Sequence, residues 1–241
     1  MLIVRTAPLL LAATLLAACG GGDRQADPRP RATTGATGTT AAADAFPSRP
    51  QVDVDFAEKD GAEPPAFERK EGSGARDGDA YRLRAAGGGA VRAPARLTAT
   101  PGTAAVLVLG AVLAPTELDG RTGVFCRGSA DGRTGYELTV DRGGQVRLER
   151  VRDGRRTRLA EYDEPDAARQ TDEPLPVALA CGRDTDSASA IALGVTVGVN
   201  PMTFFDDPEP LDPGPVGRAG LLVSEGGRAS FAGFQLTVDR S

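Results

Sequence analysis

Residues 135–150 read GYELTVDRGGQVRLER. Two short segments that carry apolar residues, 136–140 and 146–150, lie on either side of Asp141-Arg142-Gly143-Gly144. Asp and Gly between two such segments favour a tight turn that joins antiparallel strands. The stretch therefore predicts a β-hairpin.

The same kind of pattern extends from this hairpin toward both ends of the chain. Apolar and polar residues alternate at 52–56 and at 81–85, which is the period of a β-strand. Further apolar runs, separated by Gly, Pro and Asp, predict strands at 104–114, 124–126, 175–181, 191–199, 202–205, 216–224 and 229–238. Many short strands in a chain with 31 glycines and 18 prolines predict an all-β domain over residues 51–241, built as a sandwich or barrel.

The N-terminus has the composition of an export signal. Arg5 precedes an apolar run at 9–18 that is too short to span a bilayer, which needs about 20 residues. Leu16-Ala17-Ala18-Cys19 resembles the bacterial lipobox. This resemblance implies that residues 1–18 are a lipoprotein signal peptide and that Cys19 becomes the lipid-modified first residue, carrying diacylglycerol and fatty acid such as palmitate. The alternative is an ordinary signal peptide cleaved before an incidental cysteine.

Residues 19–50 predict a disordered tether. They are rich in Gly, Ala, Thr, Pro, Asp and Arg, with almost no large apolar residue before Phe46. Such a segment buries too little surface to offset the entropy lost on ordering. We therefore expect a lipid-anchored protein on the extracytoplasmic face of the bacterial membrane, with the domain held away from it by the tether.

The cysteine count agrees with this location. With Cys19 assigned to lipid, Cys126 and Cys181 remain, and each lies at the end of an apolar run. An even remainder in an oxidising compartment predicts a Cys126–Cys181 disulfide. Two buried free thiols are the alternative.

A resemblance to a known group covers roughly residues 52–239. It is carried by Gly123-Val124-Phe125-Cys126-Arg127, the Tyr136 strand, the strand 175–181, Val199-Asn200, the segments 206–211 and 214–221, and Phe231-Ala232-Gly233-Phe234. This order is similar to the laminin-G-like and 3-keto-disaccharide-hydrolase-like branches of the concanavalin A-like domains. It implies a two-sheet antiparallel jelly-roll sandwich. Pro201, Ala232 and Gly233 depart from the group's pattern.

Composition excludes several kinds of site. The chain has no histidine, which removes Ser-His-Asp and Cys-His catalysis and histidine-ligated zinc. It has no tryptophan to stack on a sugar. The net charge of −5 argues against nucleic acid as a partner.

Two acidic stretches and one basic stretch remain as candidate sites. Glu161 and Asp163 share a face if they lie on a strand, as the carboxylates of a retaining glycosidase do, but Pro165 and the lack of Trp favour an acidic loop. The basic run comprises Arg147, Arg150, Arg152, Arg155, Arg156 and Arg158. Its favoured interpretation is a solvated hairpin face, and the alternative is contact with an anionic wall polymer or lipid headgroups.

A second acidic cluster comprises Asp206, Asp207, Glu209 and Asp212. Prolines within it favour a stiff, solvated loop. The alternative is an acidic ligand site, for which calcium is the matching cation because it takes oxygen ligands from loops.

The sequence thus predicts a non-catalytic binding or interaction module in the cell envelope, with no cofactor and no metal. Its ligand would be a glycan, a wall polymer or another protein. A glycoside hydrolase of the same sandwich group and a purely structural spacer are the alternatives. A fold alone is weak evidence for function, because function depends on the residues of a particular site.

Overall fold

The computed structural model describes residues 52–55, 64–95, 106–113, 119–164, 174–183, 191–198, 202–207, 209–211 and 217–238. The predicted signal peptide, the lipidation site Cys19 and the tether lie outside these residues. Within the described residues, no helix is long and apolar enough to cross a membrane.

The described residues form fourteen β-strands and contain no α-helix. In chain order the strands are β1 (Val52–Asp55), β2 (Phe67–Arg69), β3 (Gly72–Asp77), β4 (Ala80–Ala85), β5 (Ala90–Pro94), β6 (Val106–Leu113), β7 (Asp119–Gly128), β8 (Gly135–Asp141), β9 (Gln145–Arg152), β10 (Arg155–Asp163), β11 (Leu175–Arg183), β12 (Ile191–Val197), β13 (Thr203–Asp206) and β14 (Arg218–Val238).

The hairpin predicted at 135–150 is β8 paired with β9. Leu138 lies opposite Leu148, and Val140 lies opposite Val146. The amide of Gly144 donates to the carbonyl of Asp141 at 3.0 Å. The Asp141 carboxylate accepts hydrogen bonds from the amides of Gly143 and Gln145, each at 2.9 Å. The Asp side chain therefore fixes the turn in the way the sequence indicates.

All strand pairings are antiparallel, and β14 belongs to both sheets. Its first part, 218–224, lies between β7 and β5. Its second part, 230–238, pairs with β6, and residues 233–236 also pair with β1. Positive φ angles at Glu225 and Gly226 mark the bend between the two parts.

The first sheet therefore has the order β10-β9-β8-β7-β14-β5, and the second has the order β13-β12-β11-β6-β14-β1. Strand β4 pairs with β14 beside its bend, and β3 and β2 continue outward from β4. The hydrogen-bond ladder is continuous because β14 crosses from one sheet to the other.

The two sheets pack face to face around one core. In ladder order β7 and β11 are three strands apart, which is about 14 Å in a flat sheet. The Cα atoms of Cys126 on β7 and Cys181 on β11 are nevertheless only 6.5 Å apart, and a disulfide joins them. The predicted disulfide is therefore present and links the two sheets across the core.

Glycine permits a close approach inside this core. A Cβ atom at Gly110 on β6 would lie 3.1 Å from Leu221 Cδ2 and 3.1 Å from Val124 Cγ1, both on the opposite sheet. The predicted all-β, two-sheet antiparallel jelly-roll sandwich is confirmed.

Four strands were not predicted, namely β2, β3, β5 and β10. Strand β10 has mostly exposed side chains and several arginines, so it lacks the apolar run used to find the others. The prediction also divided β14 into two strands, at 216–224 and 229–238. The structure shows one strand of 21 residues, because the Glu-Gly-Gly segment bends without ending the pairing.

Candidate functional site

A cleft of ≈330 Å³ opens beside β5 at the edge of the first sheet. Its walls come from the β2–β3 hairpin, from β5, and from the loop 129–132 that follows β7. Two phenylalanines and five charged side chains line it: Phe67, Phe125, Arg69, Glu71, Arg92, Asp131 and Arg218. The volume lies within the range typical of small-ligand sites.

Two of the arginines stack on the two phenylalanines. The guanidinium carbon of Arg69 lies 5.1 Å from the ring centroid of Phe67. That of Arg92 lies 5.7 Å from the ring centroid of Phe125. Cation–π contact at these distances is attractive and restricts the orientation of each guanidinium.

Arg92 is held further by a buried carboxylate. Glu137 on β8 is only 1% exposed, and each of its carboxylate oxygens accepts from a different arginine. Arg92 Nη2 donates to Oε1, and Arg156 Nε donates to Oε2 at 3.1 Å. Burying a carboxylate this deeply is costly unless it is paired and hydrogen-bonded. Glu137 therefore fixes the position of Arg92 in the cleft wall.

The loop 129–132 forms the opposite wall and is ordered by its own hydrogen bonds. Ser129 Oγ donates to Asp131 Oδ1 at 2.5 Å, and the Arg133 amide donates to the same oxygen at 3.0 Å. The serine hydroxyl and then this amide lower the pKa of Asp131, so its carboxylate stays charged. The Gly132 carbonyl accepts from Arg92 Nη1 at 2.5 Å.

Glycine is favoured at 132 for two reasons. Its φ of +72° lies in the left-handed region, and a Cβ there would lie 2.6 Å from Arg92 Nη1. The loop and the guanidinium therefore fit closely against each other.

Among the described residues, Arg69 and Arg218 are the cleft arginines that are not paired with a carboxylate. Both are exposed, one at the end of β2 and the other at the start of β14. In the described part of the chain neither has a carboxylate oxygen within 4 Å, in contrast to Arg92.

The acidic cluster 206–212 lies outside the cleft, and one of its members, Asp207, is hydrogen-bonded to buried side chains of β8 and β9. The Asp207 carboxylate is buried: Oδ1 accepts from Arg150 Nη1 at 2.6 Å, and Oδ2 accepts from the Tyr136 hydroxyl at 2.9 Å. The Tyr136 oxygen in turn accepts from the Leu211 amide at 3.0 Å. Burial, together with the Asp207 carboxylate, raises the pKa of Tyr136. We call Tyr136, Arg150, Asp207 and Glu209 the polar clasp, because it ties the segment after β13 to β8 and β9.

The other members of that cluster are spread out. Asp206 is exposed at the end of β13, Glu209 pairs with Arg150 at 2.9 Å, and Asp212 lies outside the described residues. Within the described residues, no three acidic or cysteine side chains are arranged to hold a metal ion. The acidic ligand site remains a prediction, and Asp207 also has a structural role that the sequence pattern did not reveal.

The interpretation of Glu161 and Asp163 as an acidic loop is wrong, because both lie on β10. Glu161 contacts two arginines: its Oε1 lies 3.6 Å from Arg147 Nε, and its Oε2 pairs with Arg158. Neither carboxylate lines the cleft.

The basic run lies on a hairpin formed by β9 and β10, but the predicted solvated face holds for only part of it. Arg150 is buried in the polar clasp, and Arg156 reaches Glu137 behind the cleft. Arg152 donates to the carbonyls of Glu209 and Pro210, each at 2.9 Å. Three arginines of this run therefore bind groups on other segments of the domain and stabilise the fold.

Sequence reasoning did not find the cleft. Its lining residues come from 67–72, 90–94, 125–132 and 218, which are far apart in the chain. No local spacing connects them. The stacked Phe and Arg residues become recognisable only when the strands are assembled.

No protein-family model matches this chain, and the curated proteins contain no significant match. Among solved structures, the carbohydrate-binding module CBM66 from Bacillus subtilis is similar, with 15% identity over 68% of this chain and 91% of that one, at a TM-score of 0.48. A Bacillus subtilis protein of unknown function with a galectin-like fold has 13% identity, with 80% and 97% of the chains covered and a TM-score of 0.49. The GH43 protein BlXynB from Bacillus licheniformis has 11% identity at a TM-score of 0.46, and only 41% of its length is covered.

Proposed function

We propose that this protein is a lipid-anchored component of the bacterial cell envelope whose β-sandwich binds a glycan or wall polymer without catalysis. The observation that carries the binding role is the cleft beside β5. It combines phenylalanine surface with oriented guanidinium, carboxylate and backbone carbonyl groups. Ligand sites are concave and hold fixed polar groups beside apolar surface.

A binding role agrees with the chemistry of the cleft acids. A glycosidase needs one carboxyl group that is protonated in the resting enzyme and a second as nucleophile or base. The pKa of Asp131 is lowered, which is the wrong direction for a general acid. Glu161, the carboxylate considered for catalysis, is paired with two arginines away from the cleft.

The binding role is tested by filling the cleft. The full-length protein, purified in mild detergent, is screened on a glycan array, and the strongest glycan is titrated by calorimetry. Ala90 lines the cleft, so Ala90→Trp should abolish binding. Ala86→Trp, in the exposed turn before β5, is the matched control and should bind as the unmodified protein does.

Both variants are checked for an unchanged unfolding midpoint. Ala130→Trp, on the exposed wall of the same cleft, is a second blocking variant in case Ala90→Trp is unstable. Equal binding by the unmodified protein and both blocking variants would place the ligand elsewhere. No bound glycan at all would favour the spacer alternative.

The enzyme alternative makes a separate prediction. The unmodified protein would release reducing sugar from polysaccharides, and Glu161→Gln with Asp163→Asn would stop the release. We expect no release from the unmodified protein. Turnover that depends on these two residues would overturn the non-catalytic proposal.

Membrane attachment is proposed through Cys19, and it rests on the lipobox resemblance. Cys19→Ala should move the protein from the membrane fraction to the soluble extracytoplasmic fraction. Mass spectrometry of the unmodified protein should find an N-terminal peptide that begins at Cys19 and carries diacylglycerol. A protein that stays in the membrane fraction after Cys19→Ala would contradict lipid anchoring at this residue.

A further inference from the structure

Three arginines from three distant segments line the same cleft. Arg69 ends β2, Arg92 lies in the middle of β5, and Arg218 begins β14. The chain as a whole carries a net charge of −5. This local concentration of positive charge is therefore not a consequence of a generally basic protein.

The carboxylates near the cleft already accept hydrogen bonds or pair with cations. Asp131 accepts from Ser129 and from the backbone within its own loop. Glu137 is occupied by Arg92 and Arg156, and the Glu71 carboxylate lies 3.6 Å from the Lys70 ammonium. Arg69 and Arg218 have no carboxylate within 4 Å in the described ranges. The bonds of Asp131 come from neutral donors, so it keeps one negative charge, and the charge left over in the cleft is positive.

Stacking prepares Arg69 to bind an anion. A guanidinium lying over an aromatic ring uses its face for the ring and keeps N–H groups at its edge. Arg69 is stacked in this way on Phe67. The planar edge of a guanidinium matches the two oxygens of a carboxylate or phosphate.

We propose that the cleft recognises the oxyanion of an acidic polyhydroxyl polymer, through Arg69 and Arg218. The anion is a uronate carboxylate or a phosphodiester, which share this chemistry. Arg92, fixed by Glu137 and by the Gly132 carbonyl, forms the rigid wall beside the bound group. This inference rests on the proposed binding function and narrows its ligand class.

The test compares probes that differ in charge. Full-length protein in mild detergent is titrated with oligogalacturonate, with the same oligomer after complete methyl esterification, and with poly(glycerol phosphate). At least one charged polymer should bind about tenfold or more tightly than the methyl ester, because hydrogen bonds to charged groups are the stronger ones. Binding should weaken as salt is added. The preferred charged polymer identifies the source of the oxyanion.

Variants then locate the anion. Arg218→Ala and Arg69→Ala should each weaken binding of the charged polymer about tenfold and should weaken binding of the methyl ester by a smaller factor. Arg142→Ala, in the exposed β8–β9 turn, removes the same charge outside the cleft and should leave binding unchanged. Arg218→Lys should recover only part of the loss, because lysine cannot offer two parallel donors.

If neither oligogalacturonate nor poly(glycerol phosphate) binds more tightly than the methyl ester, this inference is overturned. Charged-polymer binding that is insensitive to Arg69→Ala and Arg218→Ala would also overturn it. If a neutral glycan still binds and Ala90→Trp blocks it, the broader binding function stands and only the anionic ligand class fails. If no array glycan and no probe binds, both proposals fail.

Discussion

The polar clasp makes the strongest prediction about stability. Asp207 accepts three hydrogen bonds, from Arg150 Nη1 at 2.6 Å, the Tyr136 hydroxyl at 2.9 Å and the Glu209 amide at 3.0 Å. Its side chain has no exposed surface, and that of Arg150 is 7% exposed. Asp207→Ala therefore leaves a buried guanidinium and two further donors without this acceptor.

The expected loss follows from that geometry. Breaking a buried ion pair by removing one partner costs about 3–5 kcal/mol, and this figure already includes most of the lost hydrogen bonding. The largely exposed Glu209 carboxylate, 2.9 Å from Arg150 Nη2, compensates little of it. We therefore expect Asp207→Ala to lower the free energy of unfolding by about 4 kcal/mol, a large part of the roughly 5–15 kcal/mol typical of a domain.

Equilibrium unfolding in urea, with the disulfide intact, measures this loss. With an m value of about 2 kcal/mol/M, the midpoint should fall by about 2 M. Asp206→Ala is the matched control, because Asp206 is the neighbouring exposed aspartate and should leave the midpoint nearly unchanged. A loss below about 1 kcal/mol for Asp207→Ala would refute the view that the clasp holds a charged, desolvated pair.

A double-mutant cycle separates the interaction energy of Arg150 and Asp207 from the other effects of each substitution on stability. Arg150→Met combined with Asp207→Leu replaces both charges by apolar groups of similar size. Because no charge is then left unpaired, the double variant should be more stable than the sum of the two single losses predicts. Strict additivity would mean that Arg150 and Asp207 do not interact in the folded protein.

Three further predictions concern the core and one tyrosine. Replacing both Cys126 and Cys181 by alanine should lower the free energy of unfolding by about 4 kcal/mol, by the chain-entropy argument for a separation of 55 residues. Urea unfolding of this variant beside the oxidised protein measures the loss, and an unchanged midpoint would contradict it. Gly123→Ala should cost about 1–3 kcal/mol or more, because its Cβ would lie 1.9 Å from a carbonyl oxygen of β8, whereas Gly88→Ala has open space and should be neutral. Burial raises the pKa of Tyr162 to about 12, so folding stability should decrease from pH 10 toward pH 12 as the unfolded tyrosine ionises first. Phenolate absorbance should show this late ionisation and lose it in Tyr162→Phe, and a Tyr162 that ionises near pH 10 would contradict the effect of burial.

The sequence predicted the fold well where its signals are local. The β8–β9 hairpin has segments that carry apolar residues on both sides of the Asp141-Arg142-Gly143-Gly144 turn, so its residues alone specify the pairing. The disulfide could be predicted because the assignment of Cys19 leaves two cysteines in the domain. Strand β10 was missed because an edge strand can have charged side chains on both faces.

The site was less predictable because its residues are brought together only by the fold. Phe67 and Arg218 are 151 positions apart (218 − 67), and no periodicity links them. Asp207 looked like one member of an exposed acidic loop, since a carboxylate in a proline-rich segment is usually solvated. Its burial depends on Arg150, which itself looked like part of a solvated basic run.

The bend in β14 has a consequence for how the domain folds. This strand pairs with five others: β1, β4, β5, β6 and β7. Leu236 lies opposite Val52, so one of these pairings joins residues 184 positions apart (236 − 52). Neither sheet can be completed until the chain beyond residue 217 is available. Until then, the earlier strands have unpaired edges, and such edges promote aggregation. Rapid pairing with β14, once it is available, therefore protects this domain from aggregation.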